Sequence, residues 1–322
     1  MLHRFSRVVV ASTILLLLAG SLVTSTGSGL SVPDWPTTYG WNMFTFPPSK
    51  WVGGIFYEHG HRLIASTVGF LTIILAAWLW IAEPRRWMKW LGVAALGSVI
   101  LQGVLGGLTV LFFLPTTISS AHAGLAEIFF CMTVAIALFT SQSWLGASAS
   151  VDDSMLRRVA TWTTVVIYAQ IIVGAVMRHS DAGLAIPDFP WMFGHVIPDH
   201  WDPKIAVHFA HRVGALIVVL SVIATAAHIW YHHRDRRELT RPATLILLLV
   251  AIQVTLGALT VLTERDIWIN SVHLVCGALV LATSIVITLR SWRVRIAQRV
   301  RLTPDTRTQI VRDARVVQGS QA

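Results

Sequence analysis

Eight apolar stretches, each long enough to span the hydrocarbon core of a bilayer, leave this chain few folds to choose from. They fall at roughly 8–28, 59–82, 88–111, 118–141, 157–178, 206–230, 241–262 and 268–289, and one helical crossing needs about 20 such residues. A segment in lipid must satisfy its own backbone groups, so each predicts a helix. Only 13% of the 322 residues are charged and the mean hydropathy is +0.64, whereas a soluble domain carries about 25% charged residues. The expectation is an all-α membrane protein.

A repeat narrows it further. Residues 23–30 align with 177–184, an offset of 154, and 102–110 align with 253–261, an offset of 151. Between them Val32-Pro33-Asp34-Trp35-Pro36 is answered by Ile186-Pro187-Asp188-Phe189-Pro190. Each copy holds four spans, an even number, so both keep the same orientation about an axis along the membrane normal. The chain therefore reads as eight transmembrane helices forming two pseudo-symmetric four-helix bundles. The first bundle is 1–141, a linker covers 142–156, the second bundle is 157–289, and a basic tail fills 290–322. The first span follows Arg4 and Arg7 much as a secretory signal would, but its second copy lies mid-chain and cannot be one.

The net charge of +9 reflects topology. Arg4 and Arg7, then Arg85, Arg86 and Lys89, then Arg157 and Arg158, then Arg234, Arg236, Arg237 and Arg241, and finally the tail from Arg290 fall on alternate connections. Under the positive-inside rule that side is the cytoplasm and holds both termini. Nucleic acid is thereby set aside as a partner, and the tail reads as a contact for lipid headgroups. Cys131 and Cys276 lie within spans and read as small free apolar fillers.

Ionisable residues inside a bilayer are costly and mark function by default. His61-Arg62 opens the second span and His211-Arg212 the sixth; His122 and His273 lie in the fourth and eighth. All four sit about one turn, roughly 5 Å, below the outer surface. Two imidazoles opposed across a bundle make the axial arrangement of a low-spin haem. Zinc or copper would want three or four converging ligands, and each half offers two well-placed histidines. Arg62 and Arg212, beside the ligands, are placed to meet propionate carboxylates. Gln102 and Gln253 suit helix packing better than ligation.

The halves differ at one telling position. Glu58 stands three residues before His61 on the same helical face, and its counterpart is His208. A carboxylate beside one iron can act as base or position a water, which makes the first cavity the reaction site and the second a permanent cofactor site; Glu58 could instead cap its helix. The proline- and aromatic-rich loop at 30–57, and its counterpart carrying Ile186 to Pro190 and Gly194, suit either a lid over the cavities or an interfacial belt.

Over essentially the whole membrane portion these motifs resemble the haem A synthase family: Thr26-Gly27-Ser28-Gly29-Leu30-Ser31 with Pro33-Asp34-Trp35-Pro36, then Glu58-x-x-His61-Arg62, the 102–110 segment and its repeat, His122, His211-Arg212 and His273. The resemblance implies haem O held as substrate between His61 and His122 with Arg62, Glu58 as the essential acid, and haem b as cofactor on His211 and His273 with Arg212 and His208. It implies oxidation of the C8 methyl of haem O to a formyl group, giving haem A for terminal oxidases in a bacterial inner membrane. It also implies dealings with the haem O synthase, a farnesyltransferase, and with an electron acceptor. The alternative is a non-catalytic di-haem b electron-transfer or oxidase-assembly protein. Thr38 and Met192 stand where many members carry loop cysteines, and Thr24 where many carry an arginine that Arg178 keeps in the second half.

Overall fold

The computed structural model describes residues 1–146 and 152–301. Nine α-helices occur among them, with two 3-10 turns in the first long loop (Met43–Thr45 and Pro48–Lys50): α1 (Leu2–Ser25), α2 (Gly54–Ala82), α3 (Arg86–Leu111), α4 (Thr116–Phe139), the single turn α5 (Gln142–Leu145), α6 (Ser154–His179), α7 (Pro203–His232), α8 (Arg237–Leu262) and α9 (Ile267–Arg301). All but α5 are long and apolar enough to cross a membrane, so the eight expected spans are the eight observed. Strands are absent among the described residues apart from two isolated bridges, Thr38 with Trp41 and Met192 with His195.

Helix ends depart from the apolar runs where side chains give the polar turns something to hold. At the start of α1, His3 Nδ1 donates to the Ala137 carbonyl at 3.0 Å. Past the apolar part of α9, Trp292 Nε1 donates to Thr161 Oγ1 at 3.0 Å, Arg290 donates to the Glu238 carbonyl, and Arg293 lies over the Trp144 ring. The last helix therefore runs twelve residues beyond the expected end of its span at 289. Hydropathy marks where lipid ends; the helix ends only where its backbone and side chains lose partners. The rest of the expected tail, 302–322, and 147–151 of the linker lie outside the described residues.

Each half closes on itself. Helix α1 packs on α2, α2 on α3, α3 on α4 and α4 on α1; in the same way α6, α7, α8 and α9 form a second ring. The rings meet through α1 with α9, α4 with α6, and α4 with α9. A two-fold axis that carries α1 to α6 and α4 to α9 turns the first of these contacts into the second, which is the pseudo-symmetry expected of the repeat. Buried Leu75, Leu79, Met88 and Ile136 centre the first bundle and Ile167, Val222, Ile229 and Ile246 the second. Leu216, Leu248 and Ile73, each more than half exposed, face outward, as suits helices that carry lipid on their outer side.

Polar joints sit at both ends of the molecule, one across the seam and one within the second bundle. At the end carrying the long loops, Arg178 of α6 donates to the Ser21 carbonyl at 2.9 Å and to Ser25 Oγ at 2.8 Å, where Asn270 and Ser271 of α9 also converge. At the opposite end Asp153 caps α6 through the Leu156 N–H, and its Oδ2 accepts from His228 and His233 Nε2, both at 2.8 Å. Those bonds tie the start of α6 to the end of α7.

The two long loops are copies. Asp34 accepts the N–H groups of Tyr39 and Gly40, and Asp188 those of Phe193 and Gly194. Both turns need two successive residues with positive φ, 50° and 75° in the first, 57° and 79° in the second, which is why glycine holds the second place in each. Burial pushes the Asp34 and Asp188 carboxyls up, but the N–H groups they accept outweigh it and both lie below the usual 3.8. A size exchange keeps the loops seated: a Cβ on Gly107 would fall 2.4 Å from the Trp35 indole, while the smaller Phe189 in the other loop is matched by Ala258.

Candidate functional site

His61 and His122 come from α2 and α4, and these two helices share α1 and α3 as neighbours, so the histidines stand at diagonal corners of the first ring. His211 of α7 and His273 of α9 stand the same way in the second. The four helices start earlier than their apolar runs, at 54, 116, 203 and 267. Each histidine thus lies six to eight residues inside its helix, or about 9–12 Å from the helix start at 1.5 Å per residue. Asp202, which accepts from the Lys204 and Ile205 N–H groups, and Pro203 at the first helical position account for the early start of α7.

The remaining two corners of each ring carry glycine. A Cβ on Gly20 of α1 would lie 3.0 Å from His61 Cε1, and one on Gly106 of α3 would lie 3.2 Å from His122 Cε1. In the second ring Gly174 and Gly257 stand 2.9 and 3.1 Å from His211 and His273 on the same measure. Gly20 and Gly174 are 154 apart and Gly106 and Gly257 are 151 apart, the offsets of the repeat itself. A diagonal pair of imidazoles with glycine at the other two corners is one construction, made twice.

A planar macrocycle between such imidazoles agrees with what surrounds them. All four residues keep partial exposure deep inside the bundle, while His61, His122 and His273 Nδ1 are buried without a hydrogen-bond partner. Neutral imidazole pairs are axial ligands for haem iron, and glycine corners leave room for its faces. The residues present fit the group.

The loops are fastened to this construction at two points, and here the halves diverge. Glu58 Oε2 accepts the Val32 N–H at 2.7 Å and Oε1 accepts from Arg62 at 2.7 Å, with Glu58 only 3% exposed. In the second half the N–H of Ile186, the counterpart of Val32, donates to His208 Nδ1 at 3.3 Å. Arg62 donates further to the carbonyls of Val32, Asp34 and Thr37, and Arg212 to those of Ile186, Asp188 and Trp191. Both arginines, expected to reach for carboxylates, hold loop carbonyls, and the one carboxylate bound among these contacts is Glu58. The loops are thereby strapped over the histidine pairs.

Other polar residues fall into place around the pairs. Gln102 Nε2 donates to the His122 carbonyl at 2.8 Å, and Gln253 Nε2 lies 3.4 Å from His273 Nε2. His59 is fully buried under the first loop between Phe46 and Trp51, with Nδ1 3.2 Å from Thr38 Oγ1. Matching one half against the other passed over three things. The glycine corners are one. Glu127 of α4 is another, 4% exposed with Oε2 unpartnered; a lone acid in mid-span is itself a signal, but its counterpart is Ala278 and a search for pairs misses it. The third is Gln170, which lies 3.0 Å from His211 Nδ1.

The family described as Cytochrome oxidase assembly protein matches residues 49–285, a span that takes in all four histidines, their glycines save Gly20, and the Glu58/His208 position. The chain belongs to that family. Several relatives of this chain carry the name Heme A synthase. One from Alkalihalophilus pseudofirmus is 30% identical over 274 residues, 84% of this chain and 90% of its own. Another from Geobacillus kaustophilus is 28% identical over 277 residues, 84% of each, and one from Shouchella clausii is 30% identical over 268 residues, 81% of this chain and 87% of its own. The resemblance read from the motifs is borne out, and it extends across both bundles of the assembly-family fold.

Proposed function

We propose that the protein is a haem A synthase, an oxidoreductase that converts the C8 methyl of haem O to a formyl group in a bacterial inner membrane. The observation that carries this reading is a single asymmetry in a duplicated site. Two diagonal histidine pairs share their depth and their glycine corners, yet the strap over one is a carboxylate and over the other an imidazole. A protein that only passed electrons has no evident need of an acid at one of two otherwise matched cavities.

In this reading the first bundle takes haem O between His61 and His122, and the second holds haem b on His211 and His273. Bound there, haem b supplies one-electron redox chemistry. Counted with water as oxygen donor, a methyl carbon becoming an aldehyde releases four protons and four electrons, so the first cavity must pass both, the electrons going on to an external electron acceptor that takes up all four. Glu58 is the proton acceptor, held in place by Arg62 and the Val32 N–H. The strapped loop keeps bulk water off the reacting edge, and release of its Glu58 and Arg62 contacts admits the substrate. Both termini face the cytoplasm, the loops face outward, and the enzyme that farnesylates haem supplies the apolar substrate within the membrane.

Co-expression with a haem O supply and chromatography of the extracted haems tests the proposal. Haem A or its hydroxylated precursor is the expected product; unchanged haem O beside haem b would overturn it.

A further inference from the structure

The two bundles differ a second time, behind the histidines rather than above them. Gln170 of α6 donates from Nε2 to the His211 carbonyl at 2.7 Å and lies 3.0 Å from the ring nitrogen Nδ1. Its Oε1 occupies a place that exists only because residue 214 is glycine: a Cβ there would lie 2.0 Å from that oxygen. The repeat offsets, 154 for α1 to α6 and 150 for α2 to α7, give the first-half counterparts as Leu16 and Ile64. Both are half-buried and packed against the core of the first bundle. The same two places thus hold an amide with a glycine that admits it, or two hydrocarbon side chains that fill the gap together. His61 Nδ1, with hydrocarbon behind it, is buried without a partner.

Resting on the reading of His211 and His273 as haem b ligands, we infer that Gln170, admitted by Gly214, is a positioning residue that makes the second site a resident one. A hydrogen-bond partner at the back of a ligating imidazole fixes the ring's rotation and the placement of its proton, and losing one typically costs about 10–100-fold in metal affinity. The atom facing Nδ1 here is the donor Nε2; an amide also carries an acceptor, and turned about its last bond it would present Oε1 to the Nδ1–H of a ring that ligates through its other nitrogen. Leu16 and Ile64 give His61 no such anchor, so its ring stays free to turn as a porphyrin enters and leaves. One half is built to keep its haem and the other to exchange it, and the difference lies in two residue pairs that touch neither porphyrin.

The test uses detergent-purified full-length protein. The readouts are the rate at which apomyoglobin strips haem and the electron paramagnetic resonance signal of the low-spin ferric centre. Gln170→Leu should keep the low-spin optical spectrum, lose haem roughly 10-fold faster, and broaden or shift the low-spin signal. The reciprocal pair Leu16→Gln with Ile64→Gly should slow haem loss from the first bundle, and it keeps the inference testable if Gln170→Leu does not fold. Wild-type loss rates and an unchanged signal in both variants would overturn the inference. Failure of the reading beneath it looks different: the unmutated protein would then show no low-spin haem that depends on His211.

Discussion

Held against each other, the two bundles show which parts of a duplicated site are bound by geometry and which are free to specialise. Everything that sets the distance between helices is kept: the diagonal histidines, the glycines against their Cε1 edges, the arginines gripping loop carbonyls, and the two-residue turn anchored by Asp34 or Asp188. What differs is chemical and compensated locally. Glu58 with Arg62 becomes His208 with Arg212; Leu16 with Ile64 becomes Gln170 with Gly214; Trp35 with Gly107 becomes Phe189 with Ala258. Each exchange keeps the space filled while changing what the space can do, which is how a packed interior accepts change.

The comparison is most easily broken at the histidines. His211→Ala should abolish the low-spin haem spectrum of the purified protein, because one imidazole cannot hold a six-coordinate iron. His61→Ala should leave that resident spectrum in place and abolish conversion of haem O. The check is the reduced-minus-oxidised spectrum alongside extracted haems. Equal loss from both variants would mean that the halves do not divide labour as their straps suggest.

Next in size is the strap itself. Glu58→Ala should reduce haem O conversion by about 10²–10⁴-fold, the usual range for a positioned acid or base, with resident haem retained. It should also destabilise the first loop, because removing one partner of a buried ion pair costs about 3–5 kcal/mol, and Arg62 keeps only its carbonyl partners. His208→Ala removes the matching contact without stranding a charge, so its effect on stability should be smaller. Limited proteolysis of the two loops measures the one effect and haem analysis the other. A Glu58→Ala protein with full turnover would remove the carboxylate from the chemistry and leave it as a loop strap alone.

The amino-acid pattern made some of this legible and hid the rest for definable reasons. Hydropathy reports transfer into lipid, so it found all eight crossings, while missing the polar turn at Leu2–Arg7 and the one that begins at Arg290, where side-chain contacts hold the helix beyond the apolar run. Repeats report identity, so they exposed the four histidines and Glu58 against His208. They were silent on Gln170, whose meaning is that it differs from Leu16. The strap from Glu58 to Val32 was illegible because it spans 26 residues of loop whose path no local rule fixes. The grip of Arg62 on loop carbonyls was hidden for the same reason, and an arginine beside a ligand suggests propionates until its donors are seen to be engaged.

A smaller contrast sharpens the picture at the glycine corners. Gly174→Ala and Gly20→Ala place a methyl at nearly the same distance from a ring, 2.9 Å from His211 Cε1 and 3.0 Å from His61 Cε1. Overpacking of this kind costs about 1–3 kcal/mol, and the cost depends on whether the ring can yield. His61 has no partner on Nδ1 and can turn; His211 is held there by Gln170. Gly174→Ala should therefore speed haem loss more than Gly20→Ala slows turnover. Combining Gly174→Ala with Gln170→Leu should recover part of the loss by freeing the ring. An additive double variant would mean that the amide and the glycine act on the ring independently.

The smallest expected difference lies in the loops and depends on pH. Asp34 accepts Thr37 Oγ1 as well as two backbone N–H groups, whereas Asp188 accepts two N–H groups and feels the charge of Arg212. For both, burial raises the carboxyl and the accepted bonds lower it by more, so the folded value lies below the usual 3.8. A group depressed in the folded state stabilises the fold above its unfolded pKa and loses that contribution as pH falls through the folded one. Both turns should hence be indifferent to pH between 7 and 5 and should loosen together below about 3.8. The Asp34 turn stands to lose one more bond, worth about 1 kcal/mol. Amide exchange at Tyr39 and Gly40, set against Phe193 and Gly194 on either side of that pH, measures the gap. If the Asp188 turn opened first, the arginine beneath it would be the stronger of the two fastenings, and the first loop would owe its closure to Glu58 rather than to its own turn.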